Sequence, residues 1–262
     1  MIAVAPFEVL AEGIRLRGAQ YLPAGPGPFP TAVLFHGFGA SHVEFSSVFV
    51  ALARRLAEAG FAAVAYDRAG HGESDGEFYD TSVSRDVRHA HQVLAAIADL
   101  DTVDAHDLHL VGMSLGAVIA SVVAAETDLA LRSLTLWSTA AVFADEIRGS
   151  TLQGRSLDTL DTEGYFDFLG MRLGPAMRDD ALTFDVYGRA SGYTGPARLL
   201  HGTDDFVPVG YAERYLDVYG ERADLIVVDG ADHGWAQVPQ RDVLLSRTTE
   251  FIRDHSRRTE TE

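Results

Sequence analysis

The sequence predicts an α/β protein, in which a mostly parallel central sheet is covered by helices on both faces. Short apolar runs alternate along the chain with longer amphipathic stretches, which is the pattern of buried parallel strands joined by surface helices. The 262 residues are 47% hydrophobic, enough to bury one sizeable core. We therefore expect a single domain spanning residues 1–262.

The predicted elements begin with an antiparallel hairpin from Phe7 to Leu22 that turns at Gly13, and a turn-rich stretch follows as far as Pro30. This hairpin should lie at the edge of the sheet. Further strands are expected at residues 31–36, 62–66, 108–112, 131–138, 197–201 and 224–228. Helices are expected at residues 45–59, 82–98, 115–125, 209–219 and 240–255.

The alternation is interrupted between Thr139 and Thr194, where Gly, Asp, Thr, Phe and Tyr are mixed. No strand pattern is visible in this segment. We expect an insertion of one or two helices and loops at about residues 139–194. Its apolar residues are concentrated at 164–173 and 182–189.

The composition excludes several partners and chemistries. A formal charge of −17 repels nucleic acid phosphates and anionic lipid headgroups, so neither nucleic acid nor membrane is expected as a partner. The chain has no apolar run of roughly 18 residues, and its start lacks the basic residues of a secretion signal, so we expect a cytoplasmic protein. The absence of cysteine excludes disulfides, thiolate metal sites and a cysteine nucleophile. The sequence leaves open whether the protein is a homodimer.

A nucleophile is predicted at Ser114, within the segment Gly-Met-Ser-Leu-Gly at residues 112–116. This G-x-S-x-G pattern follows a predicted strand and opens a predicted helix, which is the context that a nucleophile elbow requires. A hydroxyl is a weak nucleophile at neutral pH and therefore needs a base. His233 directly follows the predicted strand at 224–228, as the chain order serine, acid, histidine requires.

The acid that orients the imidazole is expected between Gly202 and Pro208, where Asp204 and Asp205 are adjacent. Two spacings disagree about which residue it is. Counting back from Val207 by the usual D-x-x-V-P spacing favours Asp204, whereas counting forward from the preceding His-Gly pair by H-G-x-x-D favours Asp205. The segment is one residue too short to satisfy both. We prefer Asp204 and keep Asp205 as the alternative.

Donors for the oxygen of a tetrahedral intermediate are expected from two backbone N–H groups, those of Phe38 and Leu115. The predicted strand at 31–36 runs into His-Gly-Phe at residues 36–38, and Leu115 directly follows the nucleophile. The glycine-rich segment Asp67 to Ser74 is expected to brace neighbouring loops. No metal-binding or nucleotide-binding motif is found, and no cofactor is expected.

Five segments resemble, in their order along the chain, the motifs of α/β-hydrolase fold esterases. They are His36-Gly37-Phe38, Asp67 to Ser74, Gly112 to Gly116, His201 to Pro208 and Asp232-His233. Within this superfamily the chain resembles the bacterial cinnamoyl or feruloyl esterases, because the His-Gly-Phe loop, the Gly-His-Gly-Glu-Ser loop and a compact insert occur together.

This resemblance implies an α/β-hydrolase fold in which the insert forms a lid over the serine and holds the aromatic acyl group of substrates such as ferulate esters. Five apolar and aromatic residues of the insert are lid candidates by resemblance. They are Tyr165, Phe166, Phe168, Leu169 and Tyr187. The alternative is that these side chains only pack the lid onto the domain.

The expected function is that of a serine carboxylic ester hydrolase, acting through an acyl-enzyme on Ser114. Its expected partner is a small-molecule substrate, either a small soluble ester or a hydroxycinnamate-type ester. The elbow alone does not separate this activity from that of a peptidase, thioesterase, lactonase or acyltransferase, since all of these form an acyl-enzyme. A non-catalytic ligand-binding protein on the same fold is a further alternative.

Overall fold

A computed structural model describes residues 2–257, and its centre is a twisted eight-stranded sheet. The strands of this sheet are β1 (Ala3–Ala11), β2 (Ile14–Leu22), β3 (Phe29–Phe35), β4 (Ala62–Tyr66), β5 (Val103–Met113), β6 (Leu131–Trp137), β11 (Ala197–Gly202) and β12 (Ala223–Val228). Their spatial order is β1-β2-β4-β3-β5-β6-β11-β12. The strands β1 and β2 pair antiparallel with each other, β2 pairs antiparallel with β4, and every other pair in this sheet is parallel. The predicted fold class is confirmed.

Helices cover both faces of the sheet. The larger ones are α1 (Val48–Glu58), α2 (Val83–Ala98), α3 (Leu115–Glu126), α8 (Gly210–Tyr219) and α9 (Val238–His255). On one face, α1 and α9 bury Leu52 and Ile252 against the sheet. On the other face, α2, α3 and α8 bury side chains such as Leu94 and Tyr215. The helix α3 is buried nearly all round, because further helices pack over its outer side.

Burial explains why the strand predictions succeeded. All five residues of β4 are buried, as are most residues of β3, β5 and β11, so apolar side chains occupy both faces of these strands and do not alternate strictly with polar ones. The main difference is β5, which begins at Val103, five residues before the predicted start at residue 108. Two of the five added residues are buried, but the five include Asp104, His106 and Asp107, whose polar side chains remove the apolar signal.

The segment between β6 and β11 is more structured than predicted. It contains four short helices, α4 (Val142–Arg148), α5 (Thr159–Thr162), α6 (Pro175–Ala181) and α7 (Val186–Ala190). It also contains two small antiparallel hairpins, β7 (Thr151–Leu152) with β8 (Arg155–Ser156), and β9 (Phe166–Phe168) with β10 (Met171–Leu173). The expectation of one or two helices without strands is wrong, because strands of two or three residues are too short to show a period of two.

None of the helices within residues 2–257 combines the length and the apolar character needed to cross a bilayer.

Candidate active site

Ser114 lies in a sharp turn between β5 and α3, at the carboxyl edge of the parallel strands. Its backbone has φ 55° and ψ −120°, a conformation that non-glycine residues rarely adopt. The flanking glycines are sterically required. A Cβ on Gly116 would lie 2.0 Å from the carbonyl oxygen of Phe35, and one on Gly112 would lie 2.5 Å from the Cα of Ala117. Close contact of α3 with β3 and β5 therefore holds the serine in its strained conformation.

His233 contacts the serine hydroxyl from the loop that follows β12. Its Nε2 lies 2.9 Å from Oγ of Ser114, and its Nδ1 lies 2.7 Å from Oδ1 of Asp205. A carboxylate only accepts hydrogen bonds, so Nδ1 bears the proton and Nε2 is free to accept one from the hydroxyl. Both distances are within the range for a nucleophile, its base and the group that orients the base.

Asp205 is held with its carboxylate fully buried. Its Oδ1 also accepts a hydrogen bond of 2.8 Å from the backbone N–H of Val207. Burial raises the pKa of Asp205, but the hydrogen bond and charge of His233, together with the Val207 N–H, outweigh burial and lower the pKa below its usual value. The carboxylate is therefore charged at neutral pH, as the orienting acid of a triad needs to be.

The structure reverses the preference for Asp204. The Asp204 side chain is exposed and contacts the hydroxyl of Thr203, while its backbone N–H donates to the carbonyl of Ala231 at 3.0 Å. That bond keeps the chain beside the histidine loop as far as the second residue after β11, and the next side chain, that of Asp205, turns inward to His233. The H-G-x-x-D spacing thus gives the carboxylate that contacts His233.

The two predicted oxyanion donors lie on either side of the serine. Leu115 is the first residue of α3, so its N–H has no partner within the helix. Phe38 follows β3, and its N–H donates to no acceptor within residues 2–257. A Cβ on Gly37 would be 3.3 Å from that of Ser114, which shows how closely this loop approaches the nucleophile.

Two cavities meet at Ser114. The larger is an open cleft of about 810 Å³, bounded by Phe45, Leu169 and Phe206 among others. The smaller is a narrow, largely apolar cavity of about 30 Å³ beneath the insert, with Phe143 and Met177 in its wall. Both cavities are also lined by Phe38, Ser114, Gln153 and Phe206. Only the open cleft is large enough to hold a substrate whose reacting carbonyl lies at Ser114.

Of the five lid candidates, two line the open cleft. Phe168 is buried against the ring of Phe38, with the two centroids 4.6 Å apart, and Leu169 at the hairpin tip is 79% exposed.

The other three candidates lie outside both cavities, which corrects their assignment. Tyr165 lies beneath the guanidinium of Arg172, and Phe166 is buried beneath that of Arg155. The hydroxyl of Tyr187 donates a hydrogen bond to the backbone carbonyl of Tyr211. Their side chains are directed by contacts that no sequence pattern reveals.

Three further residues at the cleft escaped the sequence analysis. The ring of Phe206 lies 4.2 Å from that of His233, and its position next to the acid was an available signal. Gln153 has φ 49° and lines both cavities, but it lies in an insert without a recognisable pattern.

Glu44 is the third of these residues. Its carboxylate is buried at the cleft wall and accepts hydrogen bonds from the backbone N–H groups of Gly37 and Phe45. Burial raises the pKa of Glu44, and these two N–H groups oppose that effect. Its backbone, with φ 60° and ψ 173°, is in a region used almost only by glycine.

The profile of the α/β-hydrolase fold family matches residues 30–159, just under half of the chain. This segment includes the elbow and the Phe38 loop. Together with the sheet order, it identifies the fold of the chain as the α/β-hydrolase fold.

Among solved structures, Est1E from Butyrivibrio proteoclasticus with bound ferulic acid is similar to this chain at 25% identity, with a TM-score of 0.86 over 95% of this chain and 98% of that one. A putative hydrolase from Agrobacterium vitis S4 is 21% identical, with a TM-score of 0.76 over 96% and 99% of the two chains. GrgF, an α/β hydrolase from a Penicillium species, is 17% identical, with a TM-score of 0.76 over 97% and 99%. The comparison with curated proteins gives no match.

Proposed function

We propose that this protein is a serine carboxylic ester hydrolase that works through an acyl-enzyme on Ser114. One observation supports this most directly, the unbroken chain of contacts from the Ser114 hydroxyl through His233 to the buried Asp205. A serine with that backbone strain and those two partners has the arrangement of an activated nucleophile.

In the proposed reaction, His233 accepts the proton of Ser114 as Oγ attacks the ester carbonyl. The N–H groups of Phe38 and Leu115 stabilise the negative oxygen of the tetrahedral intermediate. His233 then donates its proton to the departing alcohol, leaving the acyl group on Ser114. A water molecule that gives its proton to His233 releases the acid by the same steps, while Asp205 keeps the imidazole in its working tautomer.

We assign both the acyl group and the alcohol to the open cleft, because a cavity of about 30 Å³ has no room for an aromatic acyl group. The alcohol leaves through the open side of the cleft after the first step. The rings of Phe38, Phe168 and Phe206 line this cleft and suit a flat, apolar acyl group. The ferulic acid bound to Est1E supports an aromatic acid of this type. Carboxylates of Asp204 and Asp232 on the cleft wall favour neutral over anionic alcohols. A hydroxycinnamate ester of a neutral alcohol is therefore the substrate class that we propose.

The first test is hydrolysis of p-nitrophenyl acetate, p-nitrophenyl octanoate and methyl ferulate by the wild type and by Ser114→Ala. Loss of the nucleophile should lower kcat by about 10³-fold or more, because removal of a triad serine leaves only binding and oxyanion stabilisation. Ser191→Ala, at an exposed serine distant from the cleft, is the matched control and should retain wild-type rates.

A fluorophosphonate should label the wild type at Ser114, as found by mass spectrometry, and should leave Ser114→Ala unlabelled. Near wild-type turnover by Ser114→Ala would refute the proposed mechanism. Turnover that depends on Ser114 but is confined to short acyl chains would refute the hydroxycinnamate assignment alone. Labelling without hydrolysis of any ester would instead direct the search to thioesters and peptides.

A further inference from the structure

The peptide group between Gly37 and Phe38 has an unusual set of partners. It includes the N–H of Phe38, the predicted oxyanion donor, and the carbonyl of Gly37. This carbonyl accepts a hydrogen bond of 2.7 Å from Nη2 of Arg68, and Nδ1 of His36 lies 2.8 Å away from it. In a trans peptide the C=O and N–H bonds point in opposite directions. The donors on the carbonyl therefore fix the direction in which the Phe38 N–H points.

The protonation of His36 follows from its other partner. The backbone N–H of Arg68 donates to Nε2 of His36 at 3.0 Å, so Nε2 is unprotonated and Nδ1 bears the proton. Burial, together with the neighbouring Arg68 charge, lowers the pKa of His36 well below its usual value, so the ring is neutral. The carbonyl of Gly37 thus receives a neutral donor from His36 and a cationic donor from Arg68, in addition to the backbone N–H of Ala40 at 3.3 Å.

Arg68 is itself buried, with a side-chain exposure of 2%, and its Nη1 lies 2.7 Å from Oδ2 of Asp86, which is 0% exposed. A buried ion pair is a poor means of stabilising a fold, since desolvation offsets much of the attraction. This pair lies directly behind the oxyanion loop and connects the loop after β4, the helix α2 and the loop after β3. The position of the Arg68–Asp86 ion pair therefore indicates a functional role in addition to packing.

We propose that Arg68, held in place by Asp86, is a positioning residue of the oxyanion hole, acting through the Gly37–Phe38 peptide. The cationic donor on the carbonyl polarises the peptide and makes the Phe38 N–H a stronger donor, because hydrogen bonds in a chain reinforce one another. It also keeps this N–H aimed before substrate arrives, so that little reorganisation is needed in the transition state. Arg68 does not contact the substrate in this scheme. The inference rests on the proposed function.

The test compares the wild type with the double variant Arg68→Met/Asp86→Leu, which removes both buried charges and leaves neither unpaired. Each enzyme hydrolyses an oxygen ester and its thiono analogue, in which sulfur replaces the carbonyl oxygen and accepts hydrogen bonds poorly. We expect kcat for the oxygen ester to fall about tenfold to a hundredfold with KM within about twofold, as for a weakened oxyanion hole. The preference for oxygen ester over thionoester should fall in parallel.

Three readouts separate this role from a structural one. Fluorophosphonate titration gives the fraction of folded, active enzyme, and thermal unfolding gives the stability. The pH profile of kcat/KM should keep its shape, because the contacts among Ser114, His233 and Asp205 are untouched. Arg198→Met/Asp224→Leu removes another ion pair at the opposite edge of the sheet and should keep the wild-type oxygen-to-sulfur preference.

An unchanged oxygen-to-sulfur preference in Arg68→Met/Asp86→Leu would overturn the inference, whether kcat per titrated site fell or not. A loss fully explained by a smaller active fraction would overturn it as well. If the double variant does not fold, Arg68→Lys provides the same comparison, since it keeps the charge but loses the planar two-donor geometry. Turnover that persists in Ser114→Ala would instead refute the proposed function, so the two failures are distinguishable.

Discussion

The elbow and the β9–β10 hairpin face the same cleft, and each places a non-glycine residue at positive φ, Ser114 at 55° and Leu169 at 52°. They differ in what holds this conformation. Around Ser114, backbone atoms of β3 and α3 leave no room for a Cβ at the flanking glycines. At the hairpin tip, Gly170 has nothing within 4 Å of the position of a Cβ. Packing of β3 and α3 therefore enforces the strained backbone at the elbow. At the hairpin no neighbouring element enforces the strain, so a substitution there can relieve it.

The largest effect that would test this contrast is expected for Gly116→Ala. The added methyl carbon would lie 2.0 Å from the carbonyl oxygen of Phe35, so strand and helix must separate. We expect little folded protein, judged by circular dichroism and urea unfolding. Gly170→Ala, with φ at 84° but open space around it, should cost only about 1–2 kcal/mol. Equal stabilities of the two variants would contradict the difference between the regions.

The next largest effect concerns the two neighbouring carboxylates. Asp205→Asn should reduce kcat by about 10³ to 10⁴-fold, because an amide no longer favours the tautomer in which Nε2 accepts the serine proton. Asp204→Asn, at an exposed side chain one residue earlier, should remain within about twofold of the wild type. Steady-state kinetics on purified, folded variants measures both. Similar losses in the two variants would mean that the observed His233 contact does not determine activity.

The smallest effect is expected at Leu169. Residues 169 and 170 form a two-residue turn with positive φ at both positions, where Asn-Gly is the favoured pair. Leu169→Asn should therefore raise the free energy of unfolding by a few tenths of a kcal/mol. It should also raise KM for apolar esters, since the exposed side chain lines the cleft.

The matched control for this variant is Leu182→Asn, at an exposed leucine of the insert that lies outside the cleft. Leu182→Asn should leave both KM and the free energy of unfolding unchanged, because Leu182 lies outside the cleft and outside the β9–β10 turn. A more stable Leu169→Asn enzyme with unchanged KM would show that the leucine does not contact substrate.

The contrast between the elbow and the insert also explains which parts of the molecule could be predicted from the sequence. The sheet, the helices around it and the elbow at Ser114 were predicted from local signals, namely apolar runs and a turn that requires its glycines. His233 was predicted from the chain order and from its place directly after β12. The choice between Asp204 and Asp205 depends on a hydrogen bond to Ala231 from another loop, which no spacing records.

The insert was least predictable, because long-range contacts such as the one between Phe38 and Phe168 determine which aromatic side chains face the cleft. The segment Asp67 to Ser74 was expected to brace neighbouring loops. Its Asp67 accepts the N–H groups of His42 and Glu73, consistent with that expectation.

The strained backbone of Ser114 also has a consequence for how this protein evolves. Glycine adopts φ 55° and ψ −120° without the cost that a side chain adds there, of order 1–3 kcal/mol. Selection for stability alone would thus favour glycine at position 114, while selection for turnover favours serine. A lineage released from the need for catalysis would be expected to lose its nucleophile early, while the rest of the fold persisted.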